Sequence, residues 1–339
     1  MAGVRVAGSG WSWRPVTLSA VQNPPAGSAS ATPDPEPDPG PDPEDVPFEG
    51  VTPRWGLGDV LVGFFAGEVL ASLLALVVLS GSNYDLKASE SVGSAFGQVA
   101  GHLASGTPPA YSGPLPVPLW LTALLQIPLW ACLFGVPIIA TITKGNGPVR
   151  DLGLRVKAID VPIGLAVGVA CQVILVPLVY VPIFWLFGSQ DVSAAARELT
   201  DRATDPFSII TLFVIVGIGA PIAEEIFFRG LTQRSATRRW GAGVALVGTA
   251  AFFALTHFEL LQFPALFLFG LMLGAMVFAT GRLGTSIWAH LGFNMVAAAT
   301  LVWGIALPLW ALVVIGLLGL AACGYLARSW MSEREIRTG

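Results

Sequence analysis

The sequence predicts an all-α membrane protein, a polytopic bundle of about eight transmembrane helices. Of its 339 residues, 54% are hydrophobic and only 12% are charged, with a mean hydropathy of +0.69, whereas soluble proteins carry roughly 25% charged residues. The apolar residues fall in runs long enough to cross a bilayer as helices, and these runs lack the strand-like alternation of a β-barrel. This composition excludes a water-soluble globular enzyme. The absence of a basic stripe also excludes a nucleic-acid-binding protein.

Residues 1–56 form a separate segment that is rich in proline and acidic residues. Seven acids and three bases give this segment a charge of −4, which is the whole net charge of the chain. Proline removes backbone donors, the acids repel one another, and few apolar residues are present to be buried. We therefore expect residues 1–56 to be a disordered cytoplasmic tail, followed by a membrane domain over residues 57–339.

Eight apolar runs follow the tail. Each is close to the roughly 20 residues that a helix needs to cross a bilayer. The division between the fifth and sixth runs is the weakest, because only the region of Pro264 separates them. The runs are 57–80, 116–142, 160–187, 207–229, 242–261, 263–281, 284–304 and 307–327.

Lysine and arginine residues concentrate in every second connection between these runs. Residues 143–159, residues 229–241, the connection at Arg282 and the residues after the last run are basic, whereas the opposite connections hold more acids than bases. Cytoplasmic loops carry such an excess of Lys and Arg. The pattern predicts an integral protein of the cell membrane with both termini in the cytoplasm.

The ionisable residues inside the runs are the main functional signal, because each is expensive to insert into a bilayer and needs a compensating partner. Most of them lie between residues 224 and 294. They are Glu68, Glu224, Glu225, Arg229, His257, Glu259 and His290.

The segment PIAEEIFFRG places a carboxylate next to an ion pair. Glu225 and Arg229 are four residues apart on one helical face, with the acid N-terminal to the base, which is the favourable order. Glu224 points about 100° away, so it needs another partner and is available for proton transfer. The alternative is that both acids only support helix packing.

Two further segments, FFALTH and HLGFN, contribute His257 and the pair His290 and Asn294. His290 and Asn294 are four residues apart and share a helical face. Taken alone, each of these groups is also consistent with hydrogen bonding between packed helices. Glu224 lies sixteen residues before Trp240, and His257 lies sixteen residues after Gly241, so a helical hairpin turning at these two residues would bring them to a similar depth.

Together these side chains suit the hydrolysis of a peptide bond. A carboxylate and an imidazole can hold and deprotonate a water, while a second imidazole and a carboxamide donate hydrogen bonds to the oxyanion. The chain has neither a GxSxG nucleophile elbow nor an HExxH zinc motif. Two histidines and a glutamate are also able to ligate Zn²⁺ with an open fourth position, so a divalent metal remains an alternative to a metal-free site.

EEIFFR, FALTH and HLGFN, in this order on successive membrane helices, resemble the three motifs of the type II CAAX prenyl protease family. This family is also called the CPBP intramembrane metalloprotease or Abi family. The resemblance covers about residues 207–304, which we interpret as the catalytic core of the membrane domain. Each motif is short, but the three in order are specific.

The resemblance implies an intramembrane endopeptidase, and it assigns a role to each motif residue. Glu225 and Arg229 would be supporting residues, whereas Glu68 is outside the pattern and is expected to be a structural hydrogen-bonding partner. Glu224 would be the base that acts on water, His257 would help to hold that water, and His290 and Asn294 would stabilise the oxyanion.

The expected partners are membrane lipid and a membrane-anchored, prenylated or otherwise hydrophobic peptide. Family members in eukaryotes remove the last three residues after a prenylated cysteine, and many prokaryotic relatives are associated with peptides such as bacteriocins. Two other functions fit the same residues. One is a proton-coupled transporter that uses buried Glu and His, although no inverted repeat is evident. The other is a non-catalytic bacteriocin-immunity protein on the same fold.

Overall fold

The computed structural model describes residues 51–80, 117–188 and 192–338, and within these ranges the chain forms helices and no strands. The expected all-α polytopic bundle is thereby confirmed. Two short helices, Pro148–Asp151 and Ala194–Thr200, lie in connections. The principal helices are α1 (Leu57–Ser80), α2 (Leu119–Lys144), α3 (Asp160–Leu186), α4 (Pro206–Trp240), α5 (Ala242–Leu255), α6 (Phe263–Thr280), α7 (Gly284–Trp303) and α8 (Leu309–Thr338).

Seven of these helices are long and apolar enough to cross a membrane, judged over the residues that the structure describes. The exception is α5, because the predicted run 242–261 stays helical only over Ala242–Leu255, which is 14 residues. At a rise of 1.5 Å per residue this helix is about 21 Å long. The next helix, α6, begins beside Pro264, where the sequence predicted the division.

Helix α4 is the longest of the candidate spans, with 35 residues. Asp205 caps its N-terminus in a reciprocal capping box with Ser208, and the hydrogen bonds from Ser208 and Phe207 lower the pKa of Asp205. Two π-helical stretches, Phe213–Gly219 and Glu225–Thr232, interrupt its α-helical geometry. Such stretches change which backbone groups are paired and are frequent at functional sites.

Glycines allow α3 and α7 to pack in close contact. A Cβ atom added to Gly164 would lie 2.6 Å from the backbone oxygen of Thr285, and one added to Gly168 would overlap the backbone of Ala289. Only glycine fits at both positions, as small-xxx-small spacings require. This packing holds the N-terminal half of α7, which carries His290, against α3.

Polar and ionic contacts join the helices at one end of the bundle, which we call the basic end. Arg282, in the turn between α6 and α7, binds both carboxylate oxygens of Asp160 at the start of α3, with Nε–O distances of 3.0 and 2.9 Å. Arg234 of α4 donates to the backbone oxygen of Gly281 at 2.8 Å. Arg238 donates to the backbone oxygen of Trp55 at 2.7 Å and stacks on its ring. Lys144 at the end of α2 and Asp59 at the start of α1 form an ion pair of 2.6 Å.

These contacts bear on the predicted boundary at residue 56. The side chain of Trp55 is only 2% exposed, and its indole nitrogen donates to Asp151 at 2.7 Å. The backbone N–H of Arg54 donates to Lys144. Residues 51–56 therefore pack on the membrane unit, while the rest of the expected disordered tail, residues 1–50, lies outside the described residues and stays a prediction.

Candidate active site

Glu225, Arg229 and His290 form a buried charged array between α4 and α7. The predicted pairing of Glu225 with Arg229 is present, with an Nη1–Oε1 distance of 2.8 Å and both side chains fully buried. The same oxygen of Glu225 lies 3.0 Å from Nδ1 of His290, which is 65 residues further along the chain. A charge pair in this environment requires such additional hydrogen bonds to offset its loss of hydration. Glu225 thus orients His290, a partnership that the sequence analysis did not foresee.

Glu224 faces the other nitrogen of His290. Its Oε2 lies 3.8 Å from Nε2 of the imidazole, and 20% of the Glu224 side chain is exposed. Among the described residues, Glu224 accepts no hydrogen bond, whereas the neighbouring Glu225 binds two donors. The two adjacent acids therefore differ as expected: one is held by a cation, and the other has a free oxygen beside an imidazole.

His257 lies at the end of α5, where the helix breaks. The next residue, Phe258, has a φ of +54°, a left-handed conformation that is unusual for a bulky side chain. Nδ1 of His257 is 2.8 Å from the backbone oxygen of Phe253. Because a carbonyl only accepts hydrogen bonds, Nδ1 must carry a proton, and Nε2 of the neutral ring keeps its lone pair.

The ring of Phe253 connects both histidines with the buried arginine. Its centroid lies 4.8 Å from the ring of His257 and 5.6 Å from the ring of His290, in edge-to-face arrangements. The guanidinium of Arg229 lies 4.4 Å from the same centroid, within the range of a cation–π interaction. Phe253 is completely buried. It therefore acts as a spacer that fixes three functional groups relative to one another.

Asn294 lies one turn beyond His290 on α7, and its amide nitrogen donates to the backbone oxygen of Val216 at 2.9 Å. Val216 belongs to the first π-helical stretch of α4. The neighbouring Gly217 has no side chain to keep α7 away, because an added Cβ atom would lie 2.6 Å from Met295. An amide has two N–H groups, so the second N–H of Asn294 is available to another acceptor.

The depth of the site follows from the contact between Arg234 and Gly281 at the basic end. Glu225 lies nine residues before Arg234, and His290 lies nine residues after Gly281. Nine residues span about 13 Å of helix, so both side chains reach the same level. The predicted run 207–229 ends at Arg229, whereas Arg229 is completely buried and α4 continues to Trp240.

The His and Glu side chains of the site are also possible metal ligands. Within the described residues, no cluster of three or more His, Cys, Asp or Glu side chains is arranged to hold a metal ion. Nδ1 of each histidine is engaged by Glu225 or by the backbone of Phe253. These bonds leave Nε2 of each ring able to bind a water or a metal, and we derive no reaction step through a metal.

Comparison with known protein families gives a match over this part of the molecule. A family model described as type II CAAX prenyl endopeptidase Rce1-like matches residues 206–296. This segment is similar to that family. The match agrees with the resemblance that the three motifs indicated, and the matched segment contains Glu224, His257, His290 and Asn294. It supports a CAAX-type intramembrane protease as the general class, in an integral membrane protein. No curated protein and no solved structure matches the chain.

Two sets of contacts in the site were not predicted from the sequence: those of Phe253 and the contact between Glu225 and His290. The sequence analysis quoted Phe253 only as part of a motif, although its position four residues before His257 on the same helix face could have indicated contact. The partnership between Glu225 and His290 joins positions far apart in the chain, and no local spacing points to it.

Proposed function

We propose that the protein is an intramembrane endopeptidase that cleaves a membrane-associated, prenylated or otherwise hydrophobic peptide by means of an activated water. The observation that carries this proposal is the position of His290 between two carboxylates, with Nδ1 at 3.0 Å from Glu225 and Nε2 at 3.8 Å from Glu224. An imidazole and a carboxylate with one free oxygen in a sheltered polar site are the groups that water activation requires.

The hydrogen bonds favour different roles for the two histidines. His257 gives its Nδ1 proton to a carbonyl, so its Nε2 can accept a hydrogen bond from the attacking water. His290 gives its Nδ1 proton to Glu225, whose charge is fixed by Arg229. The proposed reaction requires that Nε2 of His290, which faces Glu224, also carries a proton, so that this ring is the donor. The pair therefore supplies one acceptor and one donor.

The reaction then needs only side chains of this chain and one water. Glu224 removes a proton from the water, which His257 orients, and the resulting hydroxide attacks the peptide carbonyl carbon. Nε2–H of His290 and the second N–H of Asn294 donate to the oxyanion. When the C–N bond breaks, Glu224 returns the proton to the departing nitrogen, and the products are a carboxylic acid and an amine.

The surroundings of the site support a substrate that arrives from the membrane. The helices around it expose large apolar side chains, which suit contact with lipid. We place the protein in the cell membrane with the basic end in the cytoplasm, because Arg234, Arg238 and Arg282 lie there. On this orientation both termini are cytoplasmic.

The test is the cleavage of an internally quenched, farnesylated peptide ending in a C-a-a-X sequence, with purified protein in lipid nanodiscs. Glu224→Ala should abolish cleavage while the thermal unfolding midpoint stays unchanged. Glu198→Ala provides a matched control, because Glu198 is an exposed acid that pairs with Arg202 away from the site. Equal turnover by Glu224→Ala and the unmodified protein would reject the proposal.

The same assay tests the role of metal. Since the proposed steps use no metal, we expect cleavage to persist after treatment with a strong divalent-metal chelator and dialysis. Loss of activity that is restored by Zn²⁺ would contradict the metal-free mechanism but would leave the endopeptidase activity itself in place.

A further inference from the structure

Glu68, in the middle of α1, is a carboxylate that the proposed reaction does not use. It is partly buried in an otherwise apolar helix. Among the described residues it makes no hydrogen bond or ion pair, so the expected structural hydrogen-bonding role has no visible partner. A carboxylate inside a membrane span is costly without a compensating group.

The direction of α1 relative to the site follows from its contacts at the basic end. Trp55, just before α1, contacts Arg238 near the end of α4, and Asp59 contacts Lys144 at the end of α2. Helix α1 therefore runs antiparallel to α4. It runs parallel to α5, which follows α4 through the turn at Gly241.

Aromatic rings fix the level at which α1, α4 and α5 meet. The centroid of Phe64 on α1 lies 5.2 Å from that of Phe252 on α5, and Phe252 lies 5.4 Å from Phe228 on α4. We call these three residues the aromatic cluster. On the neighbouring face of α1, a Cβ atom added to Gly63 would lie 3.0 Å from Phe227, and one added to Gly67 would lie 2.9 Å from Leu129. These contacts fix the rotation of α1.

Three polar side chains lie about one helical turn beyond the aromatic cluster, all on the side away from the basic end. Glu68 follows Phe64 by four residues, and Glu224 precedes Phe228 by four residues on the antiparallel helix. His257 follows Phe252 by five residues. Four residues correspond to about 6 Å and to the same helical face. Glu68 therefore stands at the level of the candidate active site, on the side formed by α1.

We propose that Glu68 is a specificity-determining residue that binds a cationic group of the peptide substrate, a lysine ammonium or an arginine guanidinium. This inference rests on the proposed endopeptidase function. Arg229, the buried cation of the site, is already committed to Glu225, and no other cation among the described residues pairs with Glu68. Substrate binding would supply a cation in a low-dielectric environment, where the interaction is strong.

The experiment measures binding rather than turnover, in the Glu224→Gln background, so that the probe stays intact and Glu68 is the carboxylate under test. The probes are fluorescent farnesylated C-a-a-X peptides that carry either lysine or norleucine at each of the five residues before the cysteine. At one or more positions, the lysine peptide should bind about tenfold more tightly than the norleucine peptide, and this ratio should fall to about one in Glu68→Gln.

Two further variants define the outcome. Glu68→Asp keeps the charge and should retain part of the preference for lysine. Asp201→Asn removes an exposed acid outside the spans and should leave the ratio unchanged. A ratio near one at all five positions in the parent protein, or a ratio that Glu68→Gln does not change, would overturn the proposal for Glu68. The turnover of Glu224→Ala tests the endopeptidase function separately.

Discussion

The basic end and the candidate active site are both built from charged side chains among apolar helices, but they differ in how completely these groups are paired. At the basic end, Asp160 is completely buried, and both of its oxygens bind Arg282. In the site, Glu225 binds Arg229 and His290 through one oxygen only, and its Oε2 is buried without a hydrogen-bond partner among the described residues. Glu224 beside it accepts no hydrogen bond, and Glu68 has no partner among the described residues. Full pairing is typical of a structural contact, and we interpret the carboxylates that are both unpaired and partly exposed, Glu224 and Glu68, as the groups left for substrate and water.

The largest effect should come from the incompletely paired Glu224. Glu224→Gln preserves the shape of the side chain but removes the base, so kcat should fall by about 10²–10⁴-fold. The thermal unfolding midpoint in detergent should stay the same, because Glu224 accepts no hydrogen bond in the described structure. Peptide cleavage and thermal unfolding, measured on one preparation, separate the two effects. A clear loss of thermal stability would mean that Glu224 is a packing residue.

Arg229→Met should mainly lower the stability of the protein, in contrast to Glu224→Gln, which should mainly lower kcat. This change leaves Glu225 as an uncompensated buried charge, and removing one partner of a buried ion pair costs about 3–5 kcal/mol. The double variant Glu225→Gln with Arg229→Met should recover part of this loss, because no lone charge remains. Chemical denaturation followed by tryptophan fluorescence measures the difference. A double variant that is less stable than Arg229→Met would contradict this account of the pair.

Asn294→Ala should reduce kcat by about 10²–10³-fold, as expected for the loss of one oxyanion donor. The effect on KM should be small, because the second N–H contacts the oxyanion only in the transition state. The side chain also donates to Val216, so Asn294→Asp serves as a control that keeps the volume while removing both N–H donors. If KM rises while kcat stays constant, Asn294 binds substrate rather than the oxyanion.

The smallest effect on catalysis should come from the basic end. Asp160→Asn weakens the contact with Arg282 and should lower stability by about 1–3 kcal/mol, while kcat stays within a factor of about two, because this contact lies about 13 Å from the active-site level. The same denaturation and cleavage assays apply. A large loss of kcat at full stability would show that the two regions are coupled.

Most of the fold follows from local properties of the sequence. The length and apolarity of each run predict the helices, and the spacing of Gly164 and Gly168 is suited to the close contact with α7. The early end of α5 was not predicted, because the apolar residues Phe258, Leu260 and Leu261 extend the run beyond Leu255, whereas the structure has a turn there with a left-handed Phe258. The π-helical stretches of α4 likewise lack a composition signal.

The sequence indicates which residues to consider for the candidate site, but it does not predict all of the contacts between their side chains. The four-residue spacing of Glu225 and Arg229 predicts their ion pair, since that interaction depends only on helix geometry. The contact of His290 with Glu225 depends on how deeply α7 packs against α4, which local sequence does not encode. The burial of Arg229 could not be predicted for the same reason, because an arginine at the end of an apolar run indicates an interface unless tertiary contacts bury it.

The short helix α5 bears on how the proposed peptide hydrolysis would obtain its second substrate, water. A helix of about 21 Å falls some 9 Å short of a hydrocarbon layer of about 30 Å, and we expect the bilayer beside its outer end to become thinner or to admit solvent. His257 lies at that end, and each hydrolysis consumes one water molecule. The turnover rate should therefore depend on the acyl-chain length of the surrounding lipids, and the bilayer itself becomes part of the hydration pathway.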